Sequence, residues 1–467
     1  MTAFTGAAKS RKRHHQLVGE PILRALAKQA FKTAGSIETE VVIRHTWRQT
    51  VLFSEQGMLR HRHRKETVIV VRVLCNDRLA VAATRVPTPT SVAQTTQRAL
   101  DSLSHAPLTP GFPGFATVHT VKTDESLRGF DEDTARVGKE DLESLAGEAL
   151  CTLPSHLRAA GHAGVGGHEM GVATSQGGWA WAADTCAGLE IITRAAHATG
   201  MGNTAERRFE TVDPIAATRA AAAKADCEIA PSEISPATYP VLLEPAAMAS
   251  LLEAFARLCL RPVCSVEETT PFARLLGQKI CSSAVTVADD PTAPIAPNFP
   301  FDAEGTTRRA VRFLDAGIAA TIPYDRVSAA RAQQNSSLLG SEPTGHARIQ
   351  TTQQTPLPET LFMLPGEHTT AALLRMIDRG ILVTCFTDLS FGTTDPSLTG
   401  CTAHGTFLIE NGAISAPIKN LRFRISPLDA FRKICGVGRC LGPGTGLVPS
   451  VLAPVTVLSE FSFTAPA

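Results

Sequence analysis

The chain has 467 residues, of which 43% are hydrophobic and 19% are charged, so it is long enough for roughly two or three globular domains. Its formal net charge of +1 gives no overall field that would favour nucleic acid or an anionic membrane. No apolar run approaches the roughly 18 residues of a membrane-spanning helix, and no apolar stretch of a secretory signal follows the basic N-terminal residues. A cytoplasmic protein without a membrane partner is expected.

The cysteines agree with that location. There are 11 of them, they are scattered, and none forms a C-x-x-C pair. A chain of this length does not need disulfides to hold its core, so reduced thiols are the simplest interpretation.

Residues 1–15 are polar and basic, which is typical of a flexible tail. The spacing of apolar residues after Leu17 predicts a helix, and a second helix is predicted near Val92–Leu103. Between them lie stretches with strand patterns: Val41–Phe53, Thr67–Leu74 and Leu79–Thr84. This order predicts a meander of strands flanked by helices.

The middle of the chain is less regular. Residues 161–188 are rich in glycine and are interpreted as loops and strands, whereas Ile215–Ala225 is alanine-rich and helical. The proline-rich stretch Ile229–Pro240 is a candidate domain boundary.

Short strands and helices alternate in the second half. Helices are predicted at Ala246–Leu260 and at Thr369–Arg379, the latter closed by Gly380 as a C-cap. Hairpins are predicted at Val311–Ile322 and at Gly405–Ile418, where Asn411 and Gly412 suit a type I′ turn. Strands dominate over βαβ units, so the fold class is α+β. We predict a flexible basic tail (1–15), an N-terminal α+β domain (16–228) and a β-rich C-terminal domain (229–467).

Four short segments of the sequence resemble those of a known family: Tyr239–Leu243, Leu251–Arg257, Asp289-Asp290-Pro291 and Pro300–Gly305. In this order they resemble the TldD/PmbA (TldD/TldE) metallopeptidase family. The zinc-bearing branch of that family carries His-Glu-x-x-x-His on the helix at this place. Here the two histidine positions read Leu252 and Arg257, so the sequence resembles the metal-free TldE/PmbA-like branch.

The chemistry of that helix supports the comparison. A zinc peptidase needs two imidazoles to hold the ion and a glutamate to accept a proton from the bound water. Only Glu253 has a suitable side chain, because leucine cannot ligate and arginine stays protonated. The alternative interpretation is an amphipathic core helix with Leu251, Leu252, Phe255 and Leu258 turned inward.

The resemblance also points to Cys440 in Gly438–Gly444, where the zinc-bearing branch draws a thiolate ligand. One thiolate without two imidazoles is a poor ligand set for zinc, so no metal site is predicted in this chain. A structural thiol is the other interpretation of Cys440.

The last two of these segments contain an acidic cluster, which is formed by Asp289, Asp290, Asp302 and Glu304. It is interpreted as part of a peptide-cleft rim, holding a cation or facing a peptide's amino groups. The alternative is turn hydrogen bonding, which aspartate makes readily beside proline and glycine. His346 is either a further peptide contact or a loop histidine with its bonds satisfied.

The remaining patterns are weaker. His162 and His168-Glu169 lie in a glycine-rich stretch and could indicate a metal, and the basic runs Arg11–His15 and Arg60–Lys65 are usually solvated charge. No nucleic-acid partner is expected. The sequence lacks G-x-G-x-x-G, P-loop, G-x-S-x-G and H-E-x-x-H motifs.

The resemblance implies a two-domain TldD/PmbA-like subunit without catalytic residues of its own. Such a subunit would pair with a TldD-like zinc-bearing partner, contribute chamber wall and peptide-binding surface, and help to trim or degrade peptides. No cofactor is expected in this chain, and zinc is expected in the partner. The alternative is a standalone, self-associating peptide-binding or scaffolding protein. An independent enzyme finds no support, because no nucleophile is paired with a base.

Overall fold

A computed structural model describes the chain in ten stretches: 16–109, 111–121, 127–227, 229–262, 270–293, 298–333, 342–349, 355–392, 395–447 and 451–466. The predicted tail 1–15, with its basic run Arg11–His15, lies outside the described residues. Within these stretches, no helix combines the length and apolarity needed to cross a membrane.

The first half of the chain builds a six-stranded antiparallel sheet in the spatial order β3-β2-β1-β4-β5-β6. Its strands are β1 (Glu38–Ser54), β2 (Gly57–Cys75), β3 (Arg78–Thr84), β4 (Arg158–Thr174), β5 (Trp179–Arg194) and β6 (Thr199–Glu206). The predicted meander is confirmed. The glycine-rich stretch 161–188 is mostly strand, because β4 and β5 pair along nearly their whole length.

Five helices accompany this sheet: α1 (Glu20–Ala34), α2 (Pro89–Ser102), α3 (Glu132–Arg136), α4 (Lys139–Cys151) and α5 (Pro214–Ala225). They cover the face that carries the odd-numbered residues of β1. Val41 and Ile43 pack in a cluster with residues of α1 and α2. Trp47, Val51 and Phe53 pack with residues of α4 and α5. The other face of the sheet is left to the second half of the chain.

That second half begins with β7 (Thr238–Leu243) and a long helix, α6 (Pro245–Cys259). Further strands and helices follow: β8 (Val287–Asp289), β9 (Val311–Asp315), β10 (Ile318–Ala319), α7 (Arg326–Gln333), β11 (Leu361–Met363), α8 (Thr370–Leu374), β12 (Arg379–Phe391), β13 (Leu398–Glu410), β14 (Ala413–Pro417), β15 (Leu421–Ile425), α9 (Pro427–Arg432), β16 (Ile434–Pro443) and β17 (Val451–Pro466). Short 3₁₀ turns lie at Leu103–His105, Phe209–Thr211 and Ala273–Leu275.

These strands form a mixed, eleven-stranded sheet within the described part of the chain. β17 is its centre, since it pairs with β7, β11, β15 and β16. Helix α6 packs in the largest apolar cluster, where the Phe255 ring stacks on Phe431 with centroids 4.4 Å apart and meets Phe272 edge-on at 5.2 Å.

The α+β class is confirmed, and so are the predicted helices at α1, α2, α5 and α6. Both hairpins are confirmed as well, and Asn411 and Gly412 have the positive φ angles of a type I′ turn, 52° and 75°. The division into domains at residue 229 stays a prediction, although the two sheets use separate stretches of the chain.

The helix predicted over Thr369–Arg379 is confirmed only over Thr370–Leu374, and the rest of the prediction is wrong. The helix ends at Leu374, and Gly380 lies inside β12 rather than capping a helix. The glycine has another reason to be there, because a Cβ at Gly380 would lie 2.5 Å from the Pro240 carbonyl oxygen. Glycine therefore permits the close approach of neighbouring backbone at this point of the sheet.

The contact of α5 with β6 depends on a second glycine. A Cβ at Gly202 would lie 1.9 Å from the Ala217 carbonyl oxygen, which belongs to the rigid backbone of α5. We expect Gly202→Ala to lower the free energy of unfolding by about 2–3 kcal/mol, measured by urea denaturation, because the helix must move outward.

Gly147→Ala is the matched control. Gly147 lies in α4 with no heavy atom within 4 Å of the added Cβ. Alanine should raise the free energy of unfolding there by up to about 1 kcal/mol, because it favours the helix. Equal effects of the two substitutions would contradict the role assigned to Gly202.

Candidate functional site

Helix α6 carries Leu252 and Arg257, the two positions that correspond to the histidines of the zinc-bearing branch. Pro245 starts the helix, and its apolar face is buried, with Leu251, Leu252 and Phe255 fully enclosed as the amphipathic interpretation predicts. Leu258 is only partly buried. Arg257, in contrast, points outward.

Arg257 is bound to Glu253 on the outer side of the helix. Its Nε and Nη2 atoms donate to Glu253 Oε1 at 2.9 and 2.7 Å, and both side chains are 45% exposed. On a regular helix, residues five positions apart point about 140° away from each other, so the side chains of Leu252 and Arg257 diverge.

These residues do not fit a zinc ion. Leu252 has no donor atom, Arg257 is a cation, and Glu253 is occupied by Arg257. Cys440 is exposed on β16 as a free thiol. Across the ten described stretches, no group of three or more His, Cys, Asp or Glu side chains is placed to hold a metal.

The acidic cluster lies mostly inside the protein. Asp289 is fully buried at the end of β8 and pairs with Arg308, whose Nη2 also donates to Thr360 Oγ1 at 2.6 Å. The backbone N–H groups of Glu359 and Thr360 donate to Asp289 Oδ2 at 2.9 and 2.8 Å. Although burial opposes it, the charge of Arg308 helps to hold the Asp289 pKa below its usual range.

His346 lies beside this pair. Its Nδ1 is 2.8 Å from Thr344 Oγ1, its ring meets Phe313 edge-on, and its Nε2 is 3.8 Å from Asp289 Oδ1. The residue is 2% exposed. The structure therefore supports the interpretation of a buried loop histidine and gives it no path to a peptide.

Asp302 and Glu304 belong to a second buried network that joins the two sheets. Arg72 on β2 donates to Glu40 on β1 at 2.6 Å and to Glu304 at 3.2 Å. Glu304 Oε2 also accepts the Arg326 N–H at 3.0 Å. Asp302 accepts three backbone N–H groups at 2.9 Å each, which shapes its loop.

Two carboxyl groups of this network have altered acidity. Burial raises the pKa of Glu40 to about 7 although Arg72 opposes the change. Burial and the neighbouring Glu304 raise the pKa of Asp302. The Arg72 guanidinium is thus shared by two buried carboxyl groups, Glu40 and Glu304, and Asp302 lies near Glu304.

The predicted peptide-cleft rim is therefore corrected for four of its five residues. Asp289, Asp302, Glu304 and His346 are buried, and the chain itself supplies hydrogen-bond partners to the three carboxylates. The Nε2 atom of His346 has no hydrogen-bond partner among the described residues. Asp290 alone is partly exposed, and it accepts from the Thr292 N–H at 2.7 Å in a turn. Sequence reasoning missed Arg72, Glu40 and Arg308, whose partners lie far away along the chain.

A groove opens on the uncovered face of the first sheet. This sheet-face groove has a volume of about 410 Å³ and is lined by Thr46, Arg48, Arg62, Arg64, His162 and His168, among others. Part of the basic run Arg60–Lys65 thus lines a concave surface rather than a plain solvated edge.

The two histidines of the groove cannot share a metal. They lie six residues apart on one strand, a separation of about 20 Å. His168 is instead bound to buried Asp184 at 2.8 Å. Glu169 faces the other way, is fully buried and accepts the N–H groups of Val18 and Gly19, which ties the start of the described chain to the sheet.

Cys186 also lines the groove, on the strand next to His168. No hydrogen bond joins the Cys186 thiol to the imidazole within the described residues, and burial raises the pKa of the thiol to about 12. The pair therefore does not form an activated nucleophile.

The C-terminal half of the chain matches a known protein family. Residues 236–464 match the model of the PmbA/TldA metallopeptidase C-terminal domain. The TldD homolog of Buchnera aphidicola subsp. Acyrthosiphon pisum, a metalloprotease, is 28% identical over 182 residues, which are 38% of this chain and 36% of that protein. A metalloprotease of Methanothermobacter thermautotrophicus is 27% identical over 173 residues, 37% of this chain and 36% of that protein. The chain thus spans little more than a third of the length of these curated relatives.

Solved structures extend the similarity to nearly the whole fold. A Thermotoga maritima protein, provisionally described as a modulator of a DNA gyrase, has a TM-score of 0.77 at 18% identity, covering 95% of this chain and all of that one. TldE from Thermococcus kodakarensis has a TM-score of 0.76 at 18% identity with the same coverage. The chain thus has the fold of these proteins. It resembles the TldD/PmbA metallopeptidase family, and residues 236–464 match that family's C-terminal domain.

The buried Arg308–Asp289 pair should dominate local stability. Arg308→Gln leaves the Asp289 carboxylate buried without its cation and should lower the free energy of unfolding by about 3–5 kcal/mol, measured by urea denaturation. The matched control is Arg312→Gln, whose partner Asp315 is 2.8 Å away on the surface. It should cost less than about 1 kcal/mol. A small loss in both variants would refute the assignment.

The Glu40 carboxyl gives a pH dependence with a definite sign. Its pKa is raised to about 7 in the folded protein from an ordinary value of 4.5, so the folded form holds the proton more tightly. The contribution to stability is full below about pH 4.5 and is lost as the pH rises toward 7. In Glu40→Gln, the fall of the unfolding free energy between about pH 5 and 7 should be shallower by up to about 1.4 kcal/mol per pH unit.

The control for this pH experiment is Glu210→Gln, which removes a carboxyl that is 74% exposed. This variant should keep the wild-type slope. A slope that is the same in all three proteins would show that Glu40 does not titrate in this range.

Proposed function

We propose that this chain is the metal-free, non-catalytic subunit of a heteromeric TldD/TldE-like zinc peptidase. A zinc-bearing, TldD-like partner carries the metal and the water-activating glutamate. This chain contributes a wall of the shared chamber and part of the surface that holds the peptide, and the pair trims or degrades peptides.

One observation carries the proposal. At the helix where the zinc-bearing branch has its two histidines, Leu252 is built into the core and Arg257 is paired with Glu253 on the outside. A single substitution at either position would not create a metal site, because the other position would still lack an imidazole. Without zinc, nothing on this helix can lower the pKa of a water molecule for attack on a peptide bond.

The fold is suited to holding an extended peptide. β14 pairs only with β13 among the described strands. Its Pro417 carbonyl accepts the Ser232 N–H at 3.1 Å, but Ala413, Ile414 and Ser415 are exposed and leave the edge open there. An open strand edge of this kind can receive a peptide by forming backbone hydrogen bonds with it, irrespective of the peptide's sequence.

The test is co-expression of this chain with the zinc-bearing relative of the same genome. We expect a stable complex on size exclusion, with about one zinc ion per pair and none in this chain alone. Peptidase activity should follow the complex and disappear with a chelator. A matched variant, in which the partner's two metal-binding histidines are replaced, should still assemble but should lose both zinc and activity.

Two outcomes would overturn the proposal. Zinc bound to the isolated chain would mean that the ligands lie elsewhere in it. If no complex forms and the chain associates only with itself, the standalone peptide-binding or scaffolding protein becomes the better description.

A further inference from the structure

The floor of the sheet-face groove allows a second backbone to come close to the sheet. Gly166 on β4 lies in this floor beside Cys186 on β5. The adjacent Gly167 instead makes room for the Trp47 ring on the opposite face, where a Cβ would lie 2.7 Å from Trp47 Nε1. A Cβ added to Gly166 would lie 3.0 Å from the Trp47 carbonyl oxygen and 3.4 Å from the Cys186 sulfur. The absence of a side chain at Gly166 leaves room for another backbone to lie over the sheet at this point.

One end of the groove is bounded by the second half of the chain. The Gly446 N–H donates to Glu190 Oε2 at 2.8 Å, and Asn203 donates to the Gly444 carbonyl at 2.7 Å. Leu447 lies over Gly164, since a Cβ there would be 2.8 Å from its Cδ1 atom. Leu447 of the second half thus covers the sheet next to the groove, whereas the residues that line the groove belong to the first sheet.

Its walls are cationic. Arg48 on β1 is directly opposite Arg64 on β2, and Arg62 is opposite Thr50, so all three guanidinium groups project from one face. Like charges opposite each other on adjacent strands are unfavourable for the fold. The one carboxylate of the lining, Glu66, is shared between Arg64 at 3.4 Å and Arg85 at 3.0 Å. Arg48 and Arg62 have no carboxylate partner among the described residues.

The arginines of the groove form a positive strip on the surface of the first sheet, and this strip continues toward helix α6. Arg44 lies four residues from Arg48 on the same face of β1, 3.5 Å from Glu359. Burial lowers the pKa of Arg348, and Glu359 opposes this change. The positive charges of Arg257 and Arg44 lower the Arg348 pKa further, so Arg348 is within electrostatic reach of both. The strip therefore ends at the helix that holds the replaced histidine positions.

We propose that the sheet-face groove binds an extended, acidic segment of the peptide substrate, with Arg48, Arg62 and Arg64 receiving its carboxylates. This inference rests on the proposed function and adds a substrate class to it. Arg62 and Arg64 are two residues apart on β2, a spacing of about 6.6 Å, which is also the spacing of alternate side chains in an extended peptide. Acidic residues at alternate positions fit the groove best.

A peptide suits the groove better than a nucleic acid does. The Trp47 ring is buried in the opposite face, 2% exposed, so no aromatic ring of the lining is available for stacking on bases. Carboxylates also match the guanidinium fork, which can donate two parallel hydrogen bonds to them. A volume of about 410 Å³ accommodates a short peptide segment.

The test is a fluorescence anisotropy titration of the full-length chain with a labelled peptide of alternating Glu and Ser. Arg48→Gln/Arg62→Gln should weaken binding by about tenfold or more, and added salt should weaken wild-type binding as well. The matched control is Arg24→Gln/Arg219→Gln, which removes the same charge from exposed positions on α1 and α5. It should bind as the wild type does. A peptide of alternating Gln and Ser should bind at least about tenfold more weakly to the wild type.

The proposal is overturned if the groove variant and the control bind equally, or if the glutamine peptide binds as well as the glutamate peptide. It is also overturned if a single-stranded oligonucleotide shows the arginine dependence and the acidic peptide does not. The readout needs no partner subunit. Failure here would therefore leave the complex with a zinc-bearing relative untouched, and failure of that complex would not alter these titrations.

Discussion

The arrangement of the two sheets depends on one buried cation. Arg72 of the first sheet lies between Glu40 of its own sheet and Glu304 of the second half, and all three side chains are nearly inaccessible to water. A buried guanidinium is tolerated only where acceptors surround it. The loop around Asp302 is shaped by hydrogen bonds that present Glu304, and Phe299 and Phe301 of the same segment pack on Val42 and Val172. Ion pairs and apolar contacts therefore hold the two sheets together at the same place, the joint between the sheets.

This joint decides which part of the sheet is available to a ligand. Because Val42 and Val172 are covered, the face around them is closed, whereas the rows from Arg44 to Thr50 remain accessible beside it. On the other side of the joint, α6 presents Glu253 and Arg257 outward and keeps its apolar side chains in the core. This helix thus holds a leucine in the core at position 252 and an ion pair on the surface at position 257.

Much of the local structure could be predicted from the sequence, since periodicity reports on one strand or helix at a time. The amphipathic pattern of α6 and the Asn411-Gly412 turn are examples. The buried networks could not be predicted in this way. Arg72 and Glu304 are separated by 232 positions, and nothing near either residue in the sequence indicates the other. For the same reason, Asp302 and Glu304 resembled a solvent-facing acidic cluster, although their partners enclose them. The positive charge of the run Arg60–Lys65 could be predicted from the sequence. Its position in a groove beside Gly166 depends on the pairing register of β1, β2 and β4.

The central place of β17 has a consequence for how the protein is made. This strand follows, in the chain, every strand with which it pairs, and these include β7 at the beginning of the second half. During synthesis, β7, β11, β15 and β16 emerge before their common partner exists. The first sheet, complete by residue 206, has all its strands much earlier. The two halves therefore mature in chain order, and the exposed strand edges of the second half need protection from aggregation until the ribosome has released β17.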